Sequence, residues 1–211
     1  MNSMRSFKHR NFRILYPAST ASNIGTWAQR VAQDWLVLQL TGSGTYVGLV
    51  VGLQFLPALL LSMQGGKLAD RFNKRRTLII CNISGGLSAA ILGTLVVTEQ
   101  VKLWHVFFFA FTLGTASAID APVRQSFTAE IVGKADLPNA VSLNSANFNL
   151  ARLIGPGLSG LLIAAFGTGP SFLLNAVSYL FIITALLFLR ERDMFIENKP
   201  NLNAKISEAF R

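Results

Sequence analysis

The sequence predicts an all-α integral membrane protein with six transmembrane helices. Three observations carry that expectation. The 211 residues are 51% hydrophobic and only 14% charged, with a mean hydropathy of +0.44, whereas soluble domains run near a quarter charged. The apolar residues fall in runs close to the ~20 residues a helix needs to cross a ~30 Å hydrocarbon core. The basic residues crowd into alternate connecting segments, as the positive-inside rule requires.

The first span runs from about Phe12 to Leu40, where the turn-forming stretch 41–45 (TGSGT) ends it. The second covers about Tyr46 to Gln64 and is followed by a basic loop. The third covers about Thr77 to Val97, and the fourth about Leu103 to Ile119. A polar stretch with Pro122, Arg124, Glu130 and Lys134 separates the fourth from the fifth, at about Ala140 to Phe166. The sixth covers about Ser171 to Leu189. Residues 1–11 are thus a lead-in, 12–189 the bundle, and 190–211 a polar linker or tail.

With the N-terminus inside, the inner segments hold Arg5, Lys8, Arg10, Arg13, the cluster Lys67 to Arg76, Arg124, Lys134 and the basic residues from Arg190 onward. The outer loops hold only Lys102. Both termini are therefore expected in the cytoplasm of a multi-pass inner-membrane protein. Trp35, Tyr46 and Trp104 then fall near the outer interface, where amphipathic rings prefer to sit.

The same distribution argues against nucleic acid as a partner. The net charge of +9 and pI near 10.3 are topological, and the aromatic residues are mostly Phe inside apolar runs. A single cysteine, Cys81, permits no disulfide framework. His9 and His105 have no Cys, His or acid at ligand spacing, so neither a metal nor another cofactor is expected. The N-terminus lacks the small-residue cleavage site of a signal peptide and reads as a retained cytoplasmic lead.

Small residues recur every four positions in four spans: Gly44, Gly48, Gly52; Gly85, Ala89, Gly93; Ala110, Gly114, Ala118; and Ala151, Gly155, Ser159. Such stripes let helix backbones approach closely in a bilayer. Pro17, Pro57 and Pro156 fit bent helices.

Two motifs carry a family resemblance. The loop GGKLADRFNKRRT resembles the signature loop of the major facilitator superfamily at Gly66, Leu68, Ala69, Asp70, Arg71, Lys74 and Arg75. Asn73 stands where the family has a second Gly, and Asn tolerates the positive φ expected of a tight turn. The stretch ARLIGPGLSGLL resembles the fifth-helix motif of antiporter members at Ala151, Gly155, Pro156, Ser159 and Gly160. The segments GTWAQRVAQDWLVLQLTGS and DAPVRQSFTAEIVGKADLPNAVSLNSANFNLARLIGP look like the drug:proton antiporter branch of the enterobactin-exporter type. Ala110 departs from that pattern, because many exporters carry an Arg there, four residues before Gly114. The resemblance covers the chain to about Leu189. It implies the N-terminal half of the major-facilitator fold, a 3+3 inverted repeat, together with a second six-helix half, coupling to protons and a small-molecule substrate.

Ionisable groups in a span are costly and usually face the bundle interior or a wet cavity. Arg30 and Asp34 lie one turn apart on the first span; they form either a structural pair or a proton site. Arg152 stands alone in the fifth span beyond Asn144, Ser145, Asn147 and Asn149. It either faces a polar cavity, attracting an anionic substrate or balancing Asp34 or Asp120, or snorkels to the headgroups. Gln29, Gln33 and Gln54 serve a cavity or interhelical hydrogen bonds equally well. Asp120 and Glu130 are expected to partner the basic loop.

Three functions remain open on sequence grounds. One is a proton-coupled exporter of a lipophilic drug or siderophore, present here as one half. Another is a non-transporting remnant or assembly subunit in contact with lipid. An intramembrane enzyme is the least supported, since no Ser–His or paired-acid motif lies at membrane depth.

Overall fold

The computed structural model describes residues 4–61 and 73–195. It is all-helical, with five long helices among those residues: α1 (Arg10–Thr41), α2 (Gly44–Leu61), α3 (Lys74–Val97), α4 (Leu103–Phe166) and α5 (Gly169–Leu187). Short 3-10 turns precede α1, at Arg5–Lys8, and follow α5, at Glu191–Asp193. Four of the long helices, α2 to α5, are long and apolar enough to cross a membrane. The exception, α1, spans 32 residues but carries Arg30, Asp34 and several amides.

The described chain thus shows four candidate spans, not the six expected from sequence, and no clear 3+3 repeat. Much of the difference lies in α4. Its 64 residues would extend about 96 Å as one straight helix at about 1.5 Å per residue, three times the hydrocarbon core. Gly133 interrupts it with φ 72° and ψ 168°, a conformation few residues other than glycine adopt. Two limbs result, 103–132 and 134–166.

The first limb continues well past Ile119, where the sequence reading ended it. The polar stretch was read by its charges, but Val123, Phe127 and Ile131 recur every fourth residue and are all buried. That periodicity continues the apolar stripe of a helix. Elsewhere the observed ends lie within a few residues of those expected. Gly42 closes α1 at φ 64°, its N–H donating to the Leu38 carbonyl, a glycine C-cap. Asn73 does not take the positive φ expected of it. Its φ is −64°, and its side chain accepts the Arg76 N–H at 3.0 Å, capping α3.

Helix α1 packs against α4 and α5, α3 against α4 and α5, and α2 against α4. Glycines set the close approaches. A Cβ on Gly114 would strike the Gln54 backbone of α2, and one on Gly155 would meet the Trp27 Cβ and Ala28 N of α1 at 2.5 and 3.0 Å. Gly85 and Gly93 similarly admit Tyr179, Phe172 and Leu173 of α5. The α2 stripe behaves otherwise: Gly44, Gly48 and Gly52 meet no atom within 4 Å. That helix packs instead through Val50, Gln54 and Pro57.

Two apolar clusters stack along the bundle. One, around Phe12, Leu78, Phe127, Ile182 and Leu186, lies toward the N-terminus of α1. The other, around Leu36, Val50, Leu92, Val106 and Phe172, lies toward its C-terminus. Between them runs a polar layer in which Asn175 donates to Gln29 Oε1 at 2.7 Å and Ser178 bonds Asn175. The exterior is greasy: Leu59, Leu153, Leu161 and Phe188 are each more than 60% exposed, which suits lipid and not water.

Candidate functional site: a polar cavity and the clasp beneath it

A cavity of about 660 Å³ opens inside the bundle. Its wall on α1 is the stripe Phe12, Leu15, Tyr16, Ser19, Ser22, Asn23, Thr26 and Arg30, whose three- and four-residue steps place it on one helical face. Cys81 and Asn82 come from α3, and Tyr179 from α5. The first limb of α4 supplies residues between Leu113 and Thr128, and the second supplies Val141 to Asn149. Most contributions come from the part of their helix on the side of the N-terminus and the Gly133 break; α1 reaches deeper, to Arg30, and the first α4 limb to Leu113.

The main electrostatic element of the cavity was missed from sequence. Among the described residues, Asp120 finds its partners elsewhere than in the basic loop. It accepts two hydrogen bonds from Arg124 on its own helix, from Nε at 2.7 Å and Nη2 at 2.8 Å. Asn82 Nδ2 adds a third at 3.2 Å from α3. A forked charge pair of this kind is among the stronger polar contacts. The i, i+4 spacing in Asp-Ala-Pro-Val-Arg is the signal the sequence offers, and it counts only once the polar stretch beyond Ile119 is helical.

The sequence-derived candidates divide. Arg30, Asn144 and Asn147 line the cavity. Arg30 lies over the Trp27 ring at 4.8 Å and the Phe55 ring at 5.7 Å, and its buried Nε has no hydrogen-bond partner. Asp34, one turn further along, lies outside the lining, with Oδ1 buried and also unpartnered. Gln54 is buried beside Gly114, its Nε2 unpartnered; Asn147 Oδ1 and both polar atoms of Gln33 share that condition. Arg152 is exposed and reaches the Trp27 ring at 5.6 Å. In the fifth-helix motif, Ala151, Gly155 and Ser159 are buried, Ser159 Oγ lying 3.3 Å from Ser171 Oγ. Pro156 is half-buried and Gly160 open.

In the signature loop, Gly66, Leu68, Ala69, Asp70 and Arg71 lie outside the described residues. Lys74 and Arg75 are described, and both fasten helices. Lys74 forms an ion pair with Glu130 of the first α4 limb. Arg75 donates to the carbonyls of Leu186 and Leu187 at 2.8 and 2.7 Å, placing a cation on the negative end of α5. Glu130 thus does meet the basic segment, as expected.

Beneath the cavity, segments 6–11 and 190–195 converge near the α4 break. Lys8 and His9 reach Asp136 at 2.6 and 2.8 Å, and Ser6 bonds Asn139 through both its N–H and its hydroxyl. Phe195 packs on Gly133 and edge-on to His9, while its N–H donates to the Glu130 carbonyl at 2.6 Å. Asn11 and Arg190 exchange two hydrogen bonds. Asp136 precedes the apolar run of the second limb, outside the spans. The Lys8 ammonium first, then the His9 ring, hold its carboxyl below the usual carboxylate range. His105 serves locally: its Nδ1 accepts the Lys102 N–H at 2.9 Å at the start of α4.

Comparison with known proteins agrees with this architecture. The family model described as transmembrane secretion effector matches residues 1–211. The chain is 30% identical over 168 residues to the staphyloferrin A transporter of Staphylococcus aureus, covering 79% of this chain and 42% of that protein. It is 31% identical over 182 residues to the multidrug efflux pump Tap of Mycolicibacterium fortuitum, covering 84% and 44%. With multidrug resistance protein 2 of Bacillus subtilis it shares 29% over 169 residues, covering 79% and 40%. The chain spans less than half the length of these curated relatives. Full-length agreement with the family model, on an all-helical apolar bundle, shows that the chain belongs to the transmembrane secretion effector family of MFS-type transporters, a non-enzymatic transport family.

Proposed function

We propose that the chain is the N-terminal six-helix half of a secondary-active exporter in the drug:proton antiporter branch. The observation that carries this reading is the polar cavity of about 660 Å³ inside an otherwise apolar bundle. Transporters of this type bind substrate near the midplane, between repeats. Six spans follow if α1 and the two limbs of α4 each cross once. At about 45 and 50 Å of helix, either limb exceeds one crossing and extends into the cytoplasm.

The excess of Lys and Arg at the N-terminal end supports cytoplasmic termini, and the cavity then opens inward. A second six-helix half, from the same gene or another chain, would close its open side. Arg30, Asp34, Gln54, Asn144, Asn147 and Arg152 are proposed for substrate or proton handling, with Asp34 as the protonatable group. The signature-loop residues are proposed to gate the cytoplasmic side against that half. The relatives' names support a small-molecule cargo, a drug or a siderophore.

A non-transporting remnant or assembly subunit is the second reading. Accumulation assays on cells making the chain with and without a second half separate the two. Efflux only with the second half supports the exporter; no efflux in either case supports the remnant.

A further inference from the structure

We infer that the cavity selects an anionic, oxygen-rich ligand, such as a carboxylate-bearing molecule, and that Arg30 is the residue that receives its charge. The inference rests on the transporter reading and narrows its substrate class.

The argument begins with charge. Among the described residues, three charged side chains line the cavity: Arg30, Asp120 and Arg124. Asp120 and Arg124 satisfy each other through two hydrogen bonds, so the pair is neutral as a unit. Arg30 is left over. The other described carboxylates nearer the N-terminal end are already engaged: Glu130 by Lys74, Asp136 by Lys8 and His9, and Glu191 by Arg75. Asp34, one turn beyond, does not line the cavity, and its buried Oδ1 accepts no hydrogen bond. The guanidinium of Arg30 rests on the Trp27 and Phe55 rings, which hold its plane by cation–π contact, and its buried Nε has no hydrogen-bond partner. A cation held in a low-dielectric site without a hydrogen-bonded counterion is costly, and an entering anion removes that cost.

The rest of the wall fits the same class. Asn23, Asn144 and Asn147 bring amides to the same cavity, and Asn147 Oδ1 is buried and unpartnered. Groups of this kind bind hydroxyl and carboxyl oxygens through hydrogen bonds that an apolar ligand would leave unmade. Among the described lining residues the carboxylate is that of Asp120, already engaged by Arg124, so a lipophilic cation would find no free acid there.

The test uses the natural full-length gene product in proteoliposomes, with citrate as the anionic probe and tetraphenylphosphonium as the cationic one. Saturable citrate binding that falls at least tenfold in Arg30→Gln and is retained within threefold in Arg30→Lys is expected. Asn23→Asp, which adds an acid without removing Arg30, is expected to weaken citrate and strengthen the cation. It keeps the test valid if Arg30→Gln does not fold. Cation binding that is unchanged or tighter in Arg30→Gln, without citrate binding to wild type, overturns the anion assignment while leaving the transporter reading intact. Failure to bind or move either probe overturns both.

Discussion

Replacing Asp120 by Asn tests the cavity's internal charge pair. The substitution keeps the shape of the side chain and removes the charge that two Arg124 donors address at 2.7 and 2.8 Å. Breaking a fully buried ion pair costs about 3–5 kcal/mol, chiefly because a charge is left without compensation. The two side chains are 19% and 28% exposed, so water entering the cavity offsets part of that, leaving about 2–3 kcal/mol. For a bundle of this size, ~1 kcal/mol shifts the melting temperature by about 2–4 °C. Asp120→Asn is therefore expected to lower the apparent Tm of the detergent-solubilised protein by about 4–12 °C. Arg124→Gln should do likewise. The double variant should lose less than the sum, with a coupling of about 1–3 kcal/mol, as groups in one network do. Additive losses, or a Tm for Asp120→Asn within 1 °C or so of wild type, would refute the pair as a structural element.

Further outcomes follow from the packing and the clasp. Gly114→Ala forces the backbone of α2 away at Gln54, where the carbonyl carbon would lie 2.9 Å from the new Cβ; a loss of about 1–3 kcal/mol is expected. Gly48→Ala, facing open space, should be neutral or slightly stabilising in the same melting assay. For Asp136→Asn the sign follows from the depressed folded pKa. The carboxylate's contribution is complete above the ordinary value of about 4 and vanishes as pH falls through the lower folded value. The variant should melt below wild type at pH 7, and the two curves should converge as pH is lowered below about 4. Asp34→Asn should abolish uphill efflux by the complete transporter; retained proton-driven efflux removes Asp34 from the coupling.

The helical, membrane-embedded class was legible because long apolar runs leave few alternatives. The spacing of small residues also located the α3/α5 contact at Gly85 and Gly93 and the α1/α4 contact at Gly155. It misled at α2, because a stripe of glycines records capacity for close approach and not the direction in which a partner lies. The length of α4 was hidden because charge was read ahead of periodicity between Ile119 and Ala140. The same choice hid the Asp120–Arg124 pair. Arg30 and Asn147 stand out in the sequence because a polar group within an apolar run is conspicuous, and both line the cavity. The docking of Lys8, His9 and Phe195 on the Gly133 break depends on residues up to about 190 positions apart, which no local pattern records.

The central claim is that this cavity is part of a transport path open to the cytoplasm. It is tested most directly by placing one cysteine at Asn144 in the natural gene product, in a background otherwise free of cysteine, and labelling with a membrane-impermeant maleimide. The account predicts rapid labelling in inside-out vesicles, slowed by a ligand that occupies the cavity. No labelling from the cytoplasmic face, with the protein folded, would contradict it.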